Sequence, residues 1–393
     1  MCPVHPFPAR INMQQVRNPY LAHYYSSHLL QTCSLAPSIL ALLETLNTHA
    51  DISLDQVRTL CFYGIPEECK GLRALLWRLL LGYLPLSPSH WTASLHSHRH
   101  NYSLFRSDLL SPSDPQLWEV IAKDIHRTRP DLSFFFQPFD PSITPESVQA
   151  GLKPESSFTR PYKSLFSYYY EDLDCKDVYL QLVLNNEAVE KHADVLARIL
   201  YFYAKLNPGL QYIQGMNELL VPIYFAFAQD DHPEFRPYVE EDAYFCFALL
   251  MAEVKDNFVR SLDMQPEGLA GKLGVFHELL ERLAPDLSLH LFSLQVEPHY
   301  YALKWITLLL SQDFDLPDIL RLWDSLLSDS HRFRFFYYVC VALVSLNHTA
   351  LLAADFSTAV WTLQHPVNFS IAELLDQSEA LMKQDSAYYD KDP

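Results

Sequence analysis

Apolar residues recur at intervals of three and four along most of the chain, the period of helices resting on a core. Ser38–Leu46 repeats Leu and Ile at that spacing and predicts a first helix. Ser53-Leu54-Asp55-Gln56 fits a capping box and predicts a helix that stops near Gly64, before Ile65-Pro66. In the stretch from Gly71 to Pro85, Leu72, Leu76, Leu79 and Tyr83 share one helical face. Gln116–Arg127 reads as amphipathic, with Leu117, Val120, Ile121 and Ile125 on one side. Pro130 disfavours helical backbone at Arg129, so that helix is expected to end there. Further helices are predicted at 189–206, 214–228, 240–260, 268–283, 299–311, 316–328 and 333–346. Between these lie three stretches without such a period. Residues 1 to about 30 read as a loose arm, Ser94–Asn101 as a surface loop, and Ser133–Cys175 as an irregular insertion rich in Pro, Ser and aromatics. Strand patterns are scarce and no repeat of fixed period occurs, so the predicted fold class is all-α.

One junction between helices is unusual. Pro208 and Gly209 break the helix that ends near Leu206. Gly215 follows six residues later, in a chain with only 9 glycines. Tyr212-Ile213-Gln214 fills the space between, so Gln214 stands at the mouth of a helix whose next turns, Leu219 to Ala228, are apolar on every side and therefore buried. A polar side chain in that place either caps the helix or is aimed rigidly outward. From the stretch alone, the capping role is the plainer reading.

Composition narrows the class. With 393 residues, 49% hydrophobic and 19% charged, the chain is a globular protein able to build a large core. Its net charge of -18 opposes binding to nucleic acid or to an anionic bilayer by bulk electrostatics. Seven cysteines, none in a Cys-x-x-Cys pair, read as buried thiols in a reducing compartment. The Asn-x-Ser/Thr triplets at Asn101, Asn347 and Asn368 are then chance. Pro3, Pro6 and Pro8 leave no apolar core for a signal peptide, and the longest apolar runs are too short to span a bilayer. A cytoplasmic location is expected.

Candidate chemistry is sparse. Gly268-Leu269-Ala270-Gly271-Lys272 is too short for a phosphate-binding loop, and His277-Glu278 lacks the second histidine of a zincin. No Gly-x-Ser-x-Gly elbow occurs. His96, His98 and His100 alternate as metal ligands on a strand do, but no acidic or Cys partner lies near them. Arg73 and Trp77 are four apart, so the guanidinium can reach the indole or a nearby carboxylate; a plain core helix is the simpler account. Asp124 stands three residues before Arg127 and can brace it, although surface ion pairs of this kind are common. Any activity is expected to come from residues lent to a partner.

Four segments in order resemble the TBC-domain family of Rab GTPase-activating proteins. Arg73-x-x-x-Trp77-x-x-Leu80-Leu81-Gly82 is similar to its opening helix, and Ile121-x-x-Asp124-x-x-Arg127-Thr128 to its arginine-finger motif. Tyr212-Ile213-Gln214-Gly215-Met216-Asn217 is similar to its glutamine-finger motif, and Leu316–Asp324 to a late Arg-x-Trp-Asp helix. The resemblance covers roughly residues 58–345. It implies a multi-helical domain of two lobes, an N-terminal arm and helix at 1–57, and C-terminal helices with a short tail at 346–393. The linker between the finger motifs, with an insertion at about 133–185, is longer than the family's usual one.

The resemblance further implies that Arg127 and Gln214 enter the site of a GTP-bound Rab-family GTPase together. Asp124 would hold Arg127; Tyr212, Gly215, Met216 and Asn217 would hold Gln214; Arg73 and Trp77 would count with these as supporting residues of the site. The chain would need no cofactor of its own, because GTP and Mg²⁺ come with the partner. It would regulate vesicle trafficking, reaching endomembranes only through the Rab. The alternatives are a TBC-fold binding module that does not accelerate hydrolysis, and a helical adaptor unrelated to GTPases.

Overall fold

The computed structural model describes residues 16–26, 37–69, 71–109, 114–130, 132–139, 190–259, 265, 268–366 and 369–386. Among these residues it is helical, and the single extended pairing is an isolated bridge between Pro138 and Lys191. The helices are α1 (Ala22–Ser26), α2 (Pro37–Leu46), α3 (Leu54–Phe62), α4 (Leu72–Leu80), α5 (Trp91–Leu109), α6 (Pro115–Arg127), α7 (His192–Leu206), α8 (Met216–Ala228) and α9 (Val239–Val254). They continue as α10 (Leu269–Leu283), α11 (Pro285–Ser293), α12 (Ala302–Leu308), α13 (Leu316–Ser328), α14 (Arg334–Leu346), α15 (His348–Leu352), α16 (Phe356–Gln364) and α17 (Ile371–Gln384). Two compact units divide the chain, one drawn from 1–91 and 249–393, the other from 92–248.

In the first unit the organising group is the buried carboxylate of Asp324 on α13. It accepts from Trp77 Nε1 at 2.9 Å, Arg73 Nε at 3.1 Å and the Ile65 backbone at 2.9 Å. The four-residue spacing of Arg73 and Trp77 on α4 therefore serves one acid far along the chain. Trp323, beside it in sequence, lies against Trp77 with ring centroids 6.0 Å apart and donates to the Leu309 carbonyl at 3.2 Å. Leu309 and Leu310 both have positive φ, which stops α12 at Leu308, short of the predicted 311. Ser53 caps α3 by accepting from Gln56, and the chain then leaves the helix through Gly64 at φ +104°. Cys61, Cys69 and Cys340 are buried in this unit; burial, then the Asp324 charge, pushes the Cys61 thiol up. Cys2, Cys33 and Cys175 lie outside the described residues.

The second unit packs α7 against α6, α8 and the short turn Ser133–Phe136. α8 is buried from Met216 to Tyr224, as its all-round apolar sequence requires. Behind it, Arg198 on α7 donates from Nε and Nη2 to the two carboxylate oxygens of Glu240 on α9, and Tyr102 donates to the same acid at 2.6 Å. Burial disfavours the charge on Glu240, but Arg198 and Arg106 outweigh it and hold the carboxyl at about 2.

Several expectations need correction. Ser94–Asn101 is not a loop but part of α5, which buries Trp91, Leu95 and Tyr102 and sets Arg99 against the buried Asp242. His96 and His100 stack on one helical face, and among the described residues no group of His, Cys, Asp or Glu could hold a metal. On α6 the buried face is Trp118, Ile121 and Ile125, spaced by three and four; Val120 is 50% exposed. The N-terminal stretch is not loose throughout, since Tyr20, Leu21, Tyr24 and Tyr25 are buried. α11, with Pro285 in its first turn, lies between the predicted helices 268–283 and 299–311. Of the insertion at about 133–185, only 133–139 lies within the described residues, where Phe135 is buried.

Candidate functional site

α6 delivers Arg127. Asp114 caps its start by accepting from Leu117 at 3.1 Å, and Pro115 occupies the first turn, where a missing donor does no harm. The helix ends at Arg127; Thr128 is extended and Arg129 adopts φ +47°. Arg127 thus sits in the last turn, where the helix dipole favours a cation. Its side chain is 64% exposed and pairs with Asp124, whose side chain is 6% exposed.

α7 and α8 deliver Gln214. Beyond Leu206 the Asn207 carbonyl accepts from Leu210 at 3.0 Å and Gln211 at 2.7 Å, folding the chain back, and Gln211 takes φ +60°. Ile213 donates its N–H to the Met216 sulfur at 3.4 Å and accepts from the Met216 N–H at 3.1 Å. Gly215, the cap of α8, has φ +105°, a left-handed conformation that side chains resist. The Gln214 side chain is exposed; every residue from Gly215 to Tyr224 is buried.

The two segments are joined by hydrogen bonds 88 and 89 residues apart in sequence. Tyr212 donates its hydroxyl to Asp124 Oδ2 at 2.8 Å, and Asn217 Nδ2 donates to Thr128 Oγ1 at 2.7 Å. Thr128 Oγ1 in turn donates to the Asp124 carbonyl at 2.7 Å. Asn217 Oδ1 accepts the Gly215 N–H at 3.1 Å and lies 3.2 Å from the Tyr212 hydroxyl, while Asn217 Nδ2 also reaches Glu218 Oε1 at 3.0 Å. Burial, then the Asp124 charge, drives the Tyr212 phenol well above its usual range, so it remains a donor at any physiological pH.

The structure therefore gathers Asp124, Arg127, Tyr212, Gln214, Gly215, Met216 and Asn217 into one cluster of the second unit. Arg73 and Trp77 are not in that cluster: they belong to the first unit and are bonded to Asp324. Thr128 and Glu218, both bonded to Asn217, were not foreseen in these roles. The only local hint was a hydroxyl beside the arginine at a helix end.

A sequence profile of the Rab-GTPase-TBC domain matches residues 160–352. The chain is 34% identical to TBC1 domain family member 13 of Homo sapiens over 88% of its own length and 98% of that protein, and equally to the Mus musculus protein. The chain belongs to the Rab-GTPase-TBC domain family. This TBC domain is also 23% identical to the GTPase-activating protein gyp1 of Schizosaccharomyces pombe, covering 80% of its own length and 54% of that protein. Its fold matches the crystal structure of the Ypt/Rab-GAP domain of Gyp1p with a TM-score of 0.66, across 90% of this chain and all of that one, at 21% identity. The profile contains Gln214 but begins after Arg127; the cluster is what brings the two segments of the TBC domain together.

Proposed function

We propose that this TBC domain accelerates GTP hydrolysis by a Rab-family GTPase, with Arg127 and Gln214 entering the partner's site together. The observation that carries the reading is that two exposed polar side chains, far apart in sequence, project from one buried hydrogen-bonded frame. Transfer of the γ-phosphoryl group to water needs positive charge at the phosphate oxygens and an aligned water. Arg127 supplies a planar, permanently charged donor set. The Gln214 amide can donate to phosphate and accept from the water at once. Asp124 keeps the Tyr212 hydroxyl when Arg127 swings away, so its buried carboxylate is not orphaned.

The partner is recognised in its GTP-bound form and brings the nucleotide and Mg²⁺ with it; the chain contributes side chains rather than a hydrolase site of its own. Setting the lifetime of an active Rab would place the protein in vesicle trafficking, at endomembranes through its partner. Single-turnover GTP hydrolysis across a panel of purified Rab GTPases tests the reading. Acceleration of at least one member is expected. If none responds although some bind, the chain is a binding module instead.

A further inference from the structure

We propose that Thr128 is a positioning residue that fixes the glutamine-bearing segment against the arginine-bearing one; the inference rests on the function proposed above. The Thr128 hydroxyl is buried and used twice, donating to the Asp124 carbonyl one turn back in α6 and accepting from Asn217 on α8. Both amide protons of Asn217 are engaged, with Thr128 and Glu218, and its oxygen accepts from the Gly215 N–H. The orientation of this amide is therefore determined, because a flip would set its NH₂ against the Gly215 N–H.

That bond is the mechanical link to Gln214. The Gly215 nitrogen belongs to the peptide group that follows Gln214, so holding its N–H holds the plane from which the Gln214 side chain departs. Together with the Tyr212 hydroxyl, which donates to Asp124 Oδ2, the Asn217–Thr128 bond fastens the glutamine-bearing segment to the end of α6 at two places, Asp124 and Thr128. A segment fastened at two points resists rotation as well as displacement. Neither the ion pair of Arg127 nor the turn around Gly215 supplies that constraint alone. Displacing a catalytic group by about 1 Å can lower a rate by roughly 10²-fold.

Thr128→Val keeps the shape and removes both hydrogen bonds, whereas Thr128→Ser keeps the hydroxyl. The valine variant should lose about 10- to 100-fold in the single-turnover rate constant at saturating activator, with GTPase affinity changed less than about threefold. The serine variant should restore the rate to within about threefold. Adding Gln214→Ala to Thr128→Val should produce little loss beyond Gln214→Ala alone, since a glutamine already misplaced has little left to lose. If Thr128→Val melts too early to assay, Thr128→Cys, whose thiol bonds weakly on both sides, is read in the same cycle. Losses that multiply, an unchanged rate in the valine variant, or equal failure of valine and serine would overturn the proposal while wild-type acceleration stands. A wild-type protein that accelerates no GTPase overturns the underlying reading itself, and the proposal with it.

Discussion

Replacing Arg127 by lysine keeps a positive charge at the end of α6 and removes the planar fork. The variant should lose most of the ~10³–10⁵-fold acceleration that an arginine finger provides, roughly 4–7 kcal/mol of barrier. An exposed ion pair contributes only about 0–1 kcal/mol, so the melting temperature should stay put. Activity surviving within a few-fold would remove Arg127 from the chemistry. Gln214 calls for a two-by-two comparison. Many GTPases align the attacking water with a glutamine of their own, and here Gln214 is expected to take that task. A Rab lacking its own glutamine should still respond to the wild-type chain, and the normal Rab should fail with Gln214→Ala. The opposite pattern of hydrolysis rates would return Gln214 to the role of a helix-entry residue. Arg127 and Gln214 stand out in the sequence through the motifs of the resemblance; by local pattern alone a common ion pair and a helix cap are the plainer readings. Thr128 belongs to the same motif, but its bond to Asn217 is not legible there, because the partner lies 89 residues away and no periodicity connects them.

Among the elements, α13 and α4 depend on one side-chain cluster. Trp323 is 1% exposed, and truncating it to alanine should cost about 3–5 kcal/mol, lowering expression and melting temperature together. A soluble variant of unchanged stability but no activity would contradict a core role. α7 carries a pH-sensitive group in its first turn. His192 bonds the Tyr224 hydroxyl at 2.7 Å, and burial holds its imidazole down at about 4. Its folded value lies below the ordinary 6.5, so the unfolded chain binds the proton first. Its contribution is complete above about pH 6.5 and is lost as the pH falls towards 4. Melting temperatures measured across that window should decline less steeply for His192→Gln than for the wild type, and identical slopes would refute the assignment. Helix type was readable wherever apolar residues dominate, as in α8 and α13. α5 is not legible in the sequence because its core stripe of Trp91, Leu95 and Tyr102 is thin and interrupted by histidines.

For the molecule as a whole, the all-α class follows from the helical period that runs through most of the sequence. The division into two units does not, because the first closes only when residues after 249 return to those before 91. Such pairing, as between Asp324 and Arg73, is a matter of hydrogen bonds across 251 residues, which no window of sequence displays. Deleting residues 140–170, between the segments that carry Arg127 and Gln214, should alter which GTPases are accepted more than the peak rate on a good one. Equal losses for every GTPase with an unchanged melting profile would assign that stretch to the catalytic machinery. The exposure of Arg127 and Gln214 has a consequence for inheritance. Neither side chain fills the core, so folding exerts almost no selection on either. A lineage that ceased to use the chemistry would shed these two groups first and keep an intact, well-expressed domain. Its descendants could pass for active relatives by fold and differ from them only at the two positions proposed to enter the partner's site.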